Sequence, residues 1–161
     1  MGKKIILTLL AFFIFLIDRL SKVFVINKAT NLDQSNLYYS KFINIHLVWN
    51  DGIAFGLLSM NNSVYYSIIT IIILFIILIL LFFTIKAKTN FEKLGFTFII
   101  GGAIGNFYDR VFYQAVPDFI DLHINNFHWF IFNIADIFVT IGVLWLILVE
   151  FTINKKKNGI N

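Results

Sequence analysis

The segment from Val64 to Ile85 contains no charged residue and consists mainly of isoleucine, leucine and phenylalanine. A helix needs about 20 consecutive apolar residues to cross the hydrocarbon core of a bilayer, and this segment provides them. Over the whole chain 59% of the residues are hydrophobic and 14% are charged. Soluble domains carry roughly 25% charged residues. The sequence therefore predicts an integral membrane protein without a large soluble domain.

Three further segments have the composition of membrane spans. They cover residues of about 5–26, 94–112 and 129–153. Together with 64–85 they predict an all-α membrane protein with four transmembrane helices, forming one integral membrane domain over residues 1–161. No small-residue cleavage site follows the first apolar stretch, so we interpret it as an uncleaved span rather than a signal peptide.

Lysines flank these spans in three clusters, and the clusters predict the orientation. They are Lys3 and Lys4, then Lys86, Lys88 and Lys93, then Lys155, Lys156 and Lys157. Four spans place all three clusters on one side, and short cytoplasmic loops are enriched in lysine and arginine. Both termini are therefore predicted to be cytoplasmic, with residues 27–63 and 113–128 outside. The net charge of +4 reflects these clusters and does not indicate nucleic-acid binding.

The two outer segments differ in their residue patterns. Residues 42–49 alternate in part, are rich in β-forming residues and precede the turn signal Asn50-Asp51-Gly52. This pattern predicts a small extracytoplasmic β-sheet. The second segment, around residues 121–126, is predicted to form a short extracytoplasmic helix or loop.

Acidic side chains mark the candidate functional site. Five aspartates lie inside or at the edge of the predicted spans: Asp18, Asp109, Asp118, Asp121 and Asp136. An ionisable group in hydrocarbon is costly, so each is a functional-site hypothesis. Asp118 and Asp136 lie where two apolar segments reach the same membrane face, which favours a pair that shares a proton. A proton relay, or a buried partner for Arg110, is the alternative for Asp136.

Several polar residues are spaced so that they share a helix face with these acids. Asp18 and Lys22 are four residues apart, which predicts an ion pair that neutralises both groups. Asn106, Asp109 and Arg110 are grouped at the outer end of the third span. For Arg110 an interfacial anchor is the alternative, since arginine readily reaches the membrane surface.

Other positions suggest close packing or substrate contacts. Asn133 and Asp136 are three residues apart and share a face. Gly101 and Gly105 form a small-residue pair that allows two helices to approach closely. Asn50, in the turn signal, is expected to donate amide hydrogen bonds to a substrate backbone.

The sequence also excludes several kinds of chemistry. No cysteine is present, so there is no thiol nucleophile and no thiolate metal site. The three histidines, His46, His123 and His128, lack the spacing of a helical metal motif. The carboxylates and their asparagines are therefore predicted to carry the chemistry, without a metal.

Five motifs, in register with the four spans, resemble those of the lipoprotein signal peptidase (signal peptidase II) family. They are Asp18-x-x-x-Lys22, Asn50-x-Gly52-x-Ala54-Phe55-Gly56, Gly105-Asn106-x-x-Asp109-Arg110, Val116-x-Asp118-Phe119-Ile120-Asp121 and Phe132-Asn133-x-Ala135-Asp136. The likeness extends from the first span to the fourth. Pro117 departs from it, because a small aliphatic residue is more usual at that position.

The resemblance implies an aspartic endopeptidase of the bacterial inner membrane, without a cofactor. Its substrates would be diacylglyceryl prolipoproteins, cut just before the lipid-bearing cysteine. Asp118 and Asp136 would be the catalytic pair that activates water. Supporting positions would be Asp18, Lys22, Asn50, Gly52, Asn106, Asp109, Arg110, Asn133 and Ala135. The expected partners are this substrate and membrane lipids, and a monomer is expected because one chain supplies every group.

Two other classes of protein remain open from the residues alone. A small proton-coupled transporter subunit would use buried acids, but it would spread them over the full membrane depth. The acids of this chain gather toward one face. A structural assembly factor would not require two acids at all.

Overall fold

The structure, a computed structural model, describes residues 2–52 and 63–157 of the chain. These residues form four helices: α1 (Gly2–Leu32), α2 (Ser63–Lys86), α3 (Asn90–Tyr113) and α4 (Ile134–Lys157). They also form four strands: β1 (Asn36–Tyr38), β2 (Ile43–Asn50), β3 (Val116–Ile124) and β4 (Phe127–Phe132). The strands pair antiparallel in the order β1-β2-β3-β4. The predicted four helices and small sheet are confirmed.

Two of the helices are long and apolar enough to cross a membrane by length and composition alone. These stretches are Tyr66–Lys86 and Ile134–Thr152. Charged residues interrupt the apolar character of α1 and α3, including Asp18 in α1 and Asp109 in α3. That all four helices span the bilayer stays a prediction.

The helices expose apolar side chains and bury charged ones, the reverse of a soluble protein. Ile71, Phe75 and Ile85 of α2 are 65%, 63% and 80% exposed. Asp18 and Lys22 of α1, in contrast, are fully buried. This distribution fits a bundle whose outer surface contacts lipid and whose interior holds the polar groups.

Helix α3 lies at the centre of the bundle and packs against each of the other three helices. Its contact with α1 depends on two glycines. A Cβ atom added at Gly101 would lie 2.9 Å from the Ile14 Cβ, and one at Gly105 would lie 2.5 Å from the Asp18 Oδ2. The predicted close approach at these glycines is confirmed, and it brings Asp18 directly against α3.

Helices α3 and α4 run antiparallel. At one end of the pair the Trp145 indole donates a hydrogen bond of 2.9 Å to the Phe91 carbonyl. At the other end Asn106 contacts Asp136. The second end is also where α3 continues into β3 and β4 continues into α4, so the sheet and the acids occupy the same end of the bundle.

The prediction of a short helix or loop around residues 121–126 is wrong, because this segment belongs to a β-hairpin. Strands β3 and β4 are joined at Asn125, whose φ of 53° is left-handed. Asparagine tolerates that conformation, and aromatic residues such as those of β4 favour a strand. The fourth helix consequently begins at Ile134, later than the predicted start at Trp129.

Pro117 fits strand β3 without disturbing the sheet. It pairs with Trp49 of β2, whereas pairing with β4 begins only at Ile120. A proline has no N–H to donate and is tolerated where a strand has a free edge. Its ring therefore holds the backbone extended directly before Asp118.

Candidate functional site

The start of helix α4 is shaped by a reciprocal pair of hydrogen bonds between Asn133 and Asp136. The Asp136 N–H donates to the Asn133 Oδ1 at 3.2 Å, and the Asn133 N–H donates to the Asp136 Oδ2 at 3.1 Å. This is a capping-box arrangement, in which the residue before the helix and the third helical residue satisfy each other's free N–H groups. The two residues therefore meet as predicted, but through a cap at the start of the helix and not on a helical face. The reciprocal hydrogen bonds orient the Asp136 carboxylate.

Asp118 on strand β3 is held by two amide donors. The Asn133 Nδ2 donates to its Oδ1 at 2.6 Å, and the Asn50 Nδ2 donates to its Oδ2 at 2.9 Å. A bulge in the pairing of β2 with β3 lies between Ile45 and Val48, shortly before Asn50. The Asn50 amide thus contacts an acid of the chain itself, which differs from the expected contact with a substrate backbone.

Both acids contact Asn133, and the surroundings of Asp118 favour retention of a proton. Burial raises the pKa of Asp118 from its ordinary 3.8 to about 6, and the negative charge of Asp136 adds to the increase. The amide donors Asn50 and Asn133 act in the opposite direction. Asp118 is 4% exposed, whereas Asp136 is partly exposed. The arrangement provides two neighbouring carboxyl groups, one of them open to a reactant.

Asn106 of α3 connects Asp136 to a buried cation. Its Nδ2 donates to the Asp136 Oδ1 at 2.7 Å, and its Oδ1 accepts a hydrogen bond of 2.9 Å from the Lys22 Nζ. The lysine fixes the orientation of the amide, because an ammonium group can only donate. Asn106 must therefore present its NH₂ group, a donor, to the Asp136 carboxylate.

Lys22 also forms ion pairs with two buried carboxylates. Its Nζ lies 2.9 Å from the Asp18 Oδ2, the predicted contact within α1, and 2.6 Å from the Asp109 Oδ2. Asp18 accepts a further hydrogen bond of 3.0 Å from the Ala135 N–H in the first turn of α4. The acid thereby joins α1 to the positive end of α4.

Arg110 holds backbone groups near the site. Its guanidinium donates to the Asn106 carbonyl at 3.1 Å and to the Gly52 carbonyl at 3.4 Å. The Gly52 N–H in turn donates to the Asn50 Oδ1 at 3.0 Å. The segment that follows, with Ala54, Phe55 and Gly56 of the resemblance, lies outside the described residues.

Sequence reasoning missed two residues that complete the polar network. Arg19 lies 2.6 Å from the Asp109 Oδ1, an ion pair without hydrogen-bond alignment, and its guanidinium stacks 4.8 Å from the centre of the Tyr108 ring. Asn44 donates a hydrogen bond of 3.2 Å to Asp121. Only the position of Arg19, next to Asp18 in an apolar helix, could have signalled its role.

The β3–β4 hairpin also brings together three potential metal ligands that the sequence pattern did not connect. Asp121, His123 and His128 place one potential metal-ligand atom each within 4.8 Å of the others. This cluster is built from strand positions, so its residues lack the sequence spacing of a helical metal motif. It contains neither Asp118 nor Asp136.

Comparisons with known proteins agree with the motifs. A sequence model of the family described as Signal peptidase (SPase) II matches residues 10–152. A lipoprotein signal peptidase of Pelagibacter ubique is 49% identical over 146 residues, covering 91% of this chain and 87% of that protein. One of Rickettsia africae is 38% identical over 156 residues, covering 97% of this chain and 74% of that protein.

The fold is similar to that of a bacterial membrane enzyme solved by the in meso method at 2.3 Å resolution. The TM-score is 0.73 at 32% sequence identity, over 94% of this chain and 90% of that one. Sequence and fold agree over nearly the full length of the chain. The chain therefore belongs to the signal peptidase II family.

Proposed function

We propose that the chain is an aspartic endopeptidase that removes the signal peptide from diacylglyceryl-modified prolipoproteins, cutting just before the lipidated cysteine. Family membership supports a membrane-embedded peptidase that acts on lipoprotein signal peptides. The aspartate mechanism rests on one observation of this chain. Asp118 and Asp136 both accept hydrogen bonds from Asn133, so two carboxyl groups lie together at one end of the bundle.

In the proposed mechanism the two acids share one proton. The ionised carboxylate removes a proton from water, and the oxygen of that water attacks the scissile carbonyl carbon. The protonated partner donates its proton to the carbonyl oxygen. When the tetrahedral intermediate collapses, the C–N bond breaks and the carboxyl that took the proton from water donates it to the leaving amine. The other carboxylate takes a proton back from a hydroxyl of the intermediate, so the pair again holds one proton. Because the pair titrates as a unit, neither acid is assigned a single role.

The other predicted site residues fit supporting roles in this proposal. Asn106 and Asn133 aim donors at the acids, and Lys22 fixes the Asn106 amide. Asp18 positions the start of α4, and Arg110 positions the Gly52 backbone. No metal or cofactor is required by this chemistry.

We further propose four membrane spans in a bacterial inner membrane, with both termini cytoplasmic and the sheet outside. The packing of the helices supports this orientation, because the N-termini of α1 and α3 lie at the end opposite the sheet. Substrate lipid tails would then stay in the bilayer while the peptide reaches the acids. The transporter alternative is not favoured, since Asp18, Asp109, Asp118 and Asp136 collect at one end of the bundle.

Cleavage of a lipid-modified precursor tests this proposal. The chain, reconstituted in phospholipid vesicles, is expected to release the signal peptide and leave the lipidated cysteine as the new N-terminal residue, as measured by mass spectrometry. The matched control is the same precursor without the diacylglyceryl group. Equal cleavage of the control, or a cut at another bond, would contradict the proposed substrate class.

The pH dependence of the cleavage rate is expected to follow the ionisation of Asp118. Since its pKa in the folded chain, about 6, lies above the ordinary 3.8, the group keeps its proton below about pH 6 and loses it as the pH rises. A mechanism that needs one shared proton should therefore slow above that pH, by about tenfold per unit in kcat/KM. Initial rates measured between roughly pH 5 and pH 9 would show this alkaline limb.

The Asn50→Ala variant should move that limb to higher pH. Its amide stabilises the ionised form of Asp118, so removing it raises the pKa, by about one unit if the hydrogen bond is worth roughly 1.5 kcal/mol. Asn27→Ala, an exposed change on α1, is the matched control and should leave the profile in place. If the alkaline limb of Asn50→Ala lies at the same pH as that of the unaltered chain, the pH dependence does not arise from Asp118.

A further inference from the structure

A cluster of histidine and aspartate side chains lies on the sheet, apart from the proposed catalytic pair. His123 of β3 and His128 of β4 are directly paired in the strand register. Their rings stack, with centroids 5.0 Å apart and planes inclined by 18°. Asp121 lies beside them on β3, and one ligand atom from each residue falls within 4.8 Å of the other two.

Asp121 is a buried carboxylate with weak charge compensation. Its side chain is 2% exposed, and the partners seen in the described residues are the Asn44 amide at 3.2 Å and the His128 Nδ1 at 2.9 Å. The amide is neutral, and the histidine is charged only when protonated. By contrast, Asp18 and Asp109 each face Lys22. A buried carboxylate normally needs a cation nearby, and a metal ion would supply one.

The ring of His123 provides an independent observation. Its Nδ1 is a buried atom without a hydrogen-bond partner among the described residues. Buried nitrogens are almost always satisfied, so one that is not requires an explanation. A neutral imidazole nitrogen with a free lone pair is a common metal ligand.

We propose that Asp121, His123 and His128 form a binding site for a divalent transition metal of the zinc class. Imidazole nitrogens with one carboxylate oxygen suit zinc, whereas calcium and magnesium prefer sites made of oxygen ligands. Water would complete the coordination, and a cavity of about 330 Å³ lined by Asn44, His46, Asp121 and His128 gives it access. Asn44 would orient the carboxylate ligand through its hydrogen bond to Asp121.

A metal at this site would act on the stability of the sheet and not on hydrolysis. It would join β3 to β4, and β3 also carries Asp118. A metal that binds the folded chain but not the unfolded chain raises the melting temperature. The inference is independent of the peptidase proposal, because binding and melting are measured without any substrate.

Zinc titration of the full chain tests the site. The protein, carrying an affinity tag without histidine, is stripped with chelator in detergent and titrated with zinc chloride by calorimetry. One zinc ion per chain is expected. At a zinc concentration about 100-fold above the dissociation constant, the melting temperature should rise by about 5 °C or more.

Histidine variants assign the ligands. His123→Gln and His128→Gln should each weaken zinc binding by about tenfold or more and abolish the rise in melting temperature. The His128 side chain is 52% exposed, so this change should not impair folding. His46→Gln is the matched control, because His46 lines the cavity but lies outside the cluster of three. Its zinc affinity should match that of the unaltered chain.

Three results would overturn the inference. They are absence of zinc binding, binding unchanged in both His123→Gln and His128→Gln, or equal loss of binding in His46→Gln. Precursor cleavage by the stripped protein separates the two proposals. Full activity without metal is expected, and activity that depends on added zinc would contradict a purely stabilising site.

Discussion

Replacing Asp118 or Asp136 by asparagine is expected to lower the rate of signal-peptide cleavage by about 10³-fold, within the range of general acid–base catalysis. Asparagine keeps the size of the side chain but can neither accept a proton from water nor donate one as an acid. Because the two acids act as one unit, each single variant should lose about as much activity as the double variant. Single-turnover assays with lipid-modified precursor would measure the loss.

Asp33→Asn serves as the matched control for these variants. Asp33 is exposed, and its φ of 49° is one that asparagine adopts readily, so the same chemical change is made away from the site. Its cleavage rate should stay near that of the unaltered chain. Melting curves of all variants should show that folding is retained. A folded Asp118→Asn or Asp136→Asn protein that cleaves at the normal rate would refute the catalytic assignment.

The local spacing of residues predicted the contacts made within one element. Asp18 and Lys22 lie four residues apart on one helix, and Asn133 caps the helical turn that contains Asp136, so both contacts follow from local geometry. The glycines of α3 likewise marked where another helix approaches. These contacts and close approaches depend on residues that are close in sequence, so the spacing of those residues predicts them directly.

Contacts between distant elements could not be predicted in the same way. Ala135 donates to Asp18 across 117 positions of the chain, and Asn50 reaches Asp118 only because a bulge alters the strand register. The β3–β4 hairpin was missed because its second strand is as apolar as the helix that follows. A short apolar run does not by itself distinguish a strand from the start of a membrane span.

Replacing Lys22 by methionine is expected to be the most destabilising single change in the bundle. Lys22 is fully buried and donates to Asp18, Asn106 and Asp109. Methionine has a similar length, so the change removes a charge and its hydrogen bonds more than it removes volume. Breaking a buried ion pair from one side costs about 3–5 kcal/mol, because the remaining charge is left uncompensated.

Such a loss corresponds to a fall of roughly 10 °C in melting temperature for a chain of this size, measurable by thermal unfolding in detergent. Lys28→Met is the matched control. Lys28 is an exposed lysine on the same helix, above the Phe24 ring, and its loss should shift the melting temperature little.

The double variant Lys22→Met with Asp18→Asn distinguishes charge from packing. The buried group holds two cations, Lys22 and Arg19, and two anions, Asp18 and Asp109. Removing Lys22 alone leaves one excess negative charge, whereas removing Asp18 as well leaves Arg19 paired with Asp109. The double variant should therefore be more stable than Lys22→Met alone. If the loss of stability in the double variant equals the sum of the losses in the two single variants, Lys22 stabilises the bundle through packing of its stem and not through charge balance.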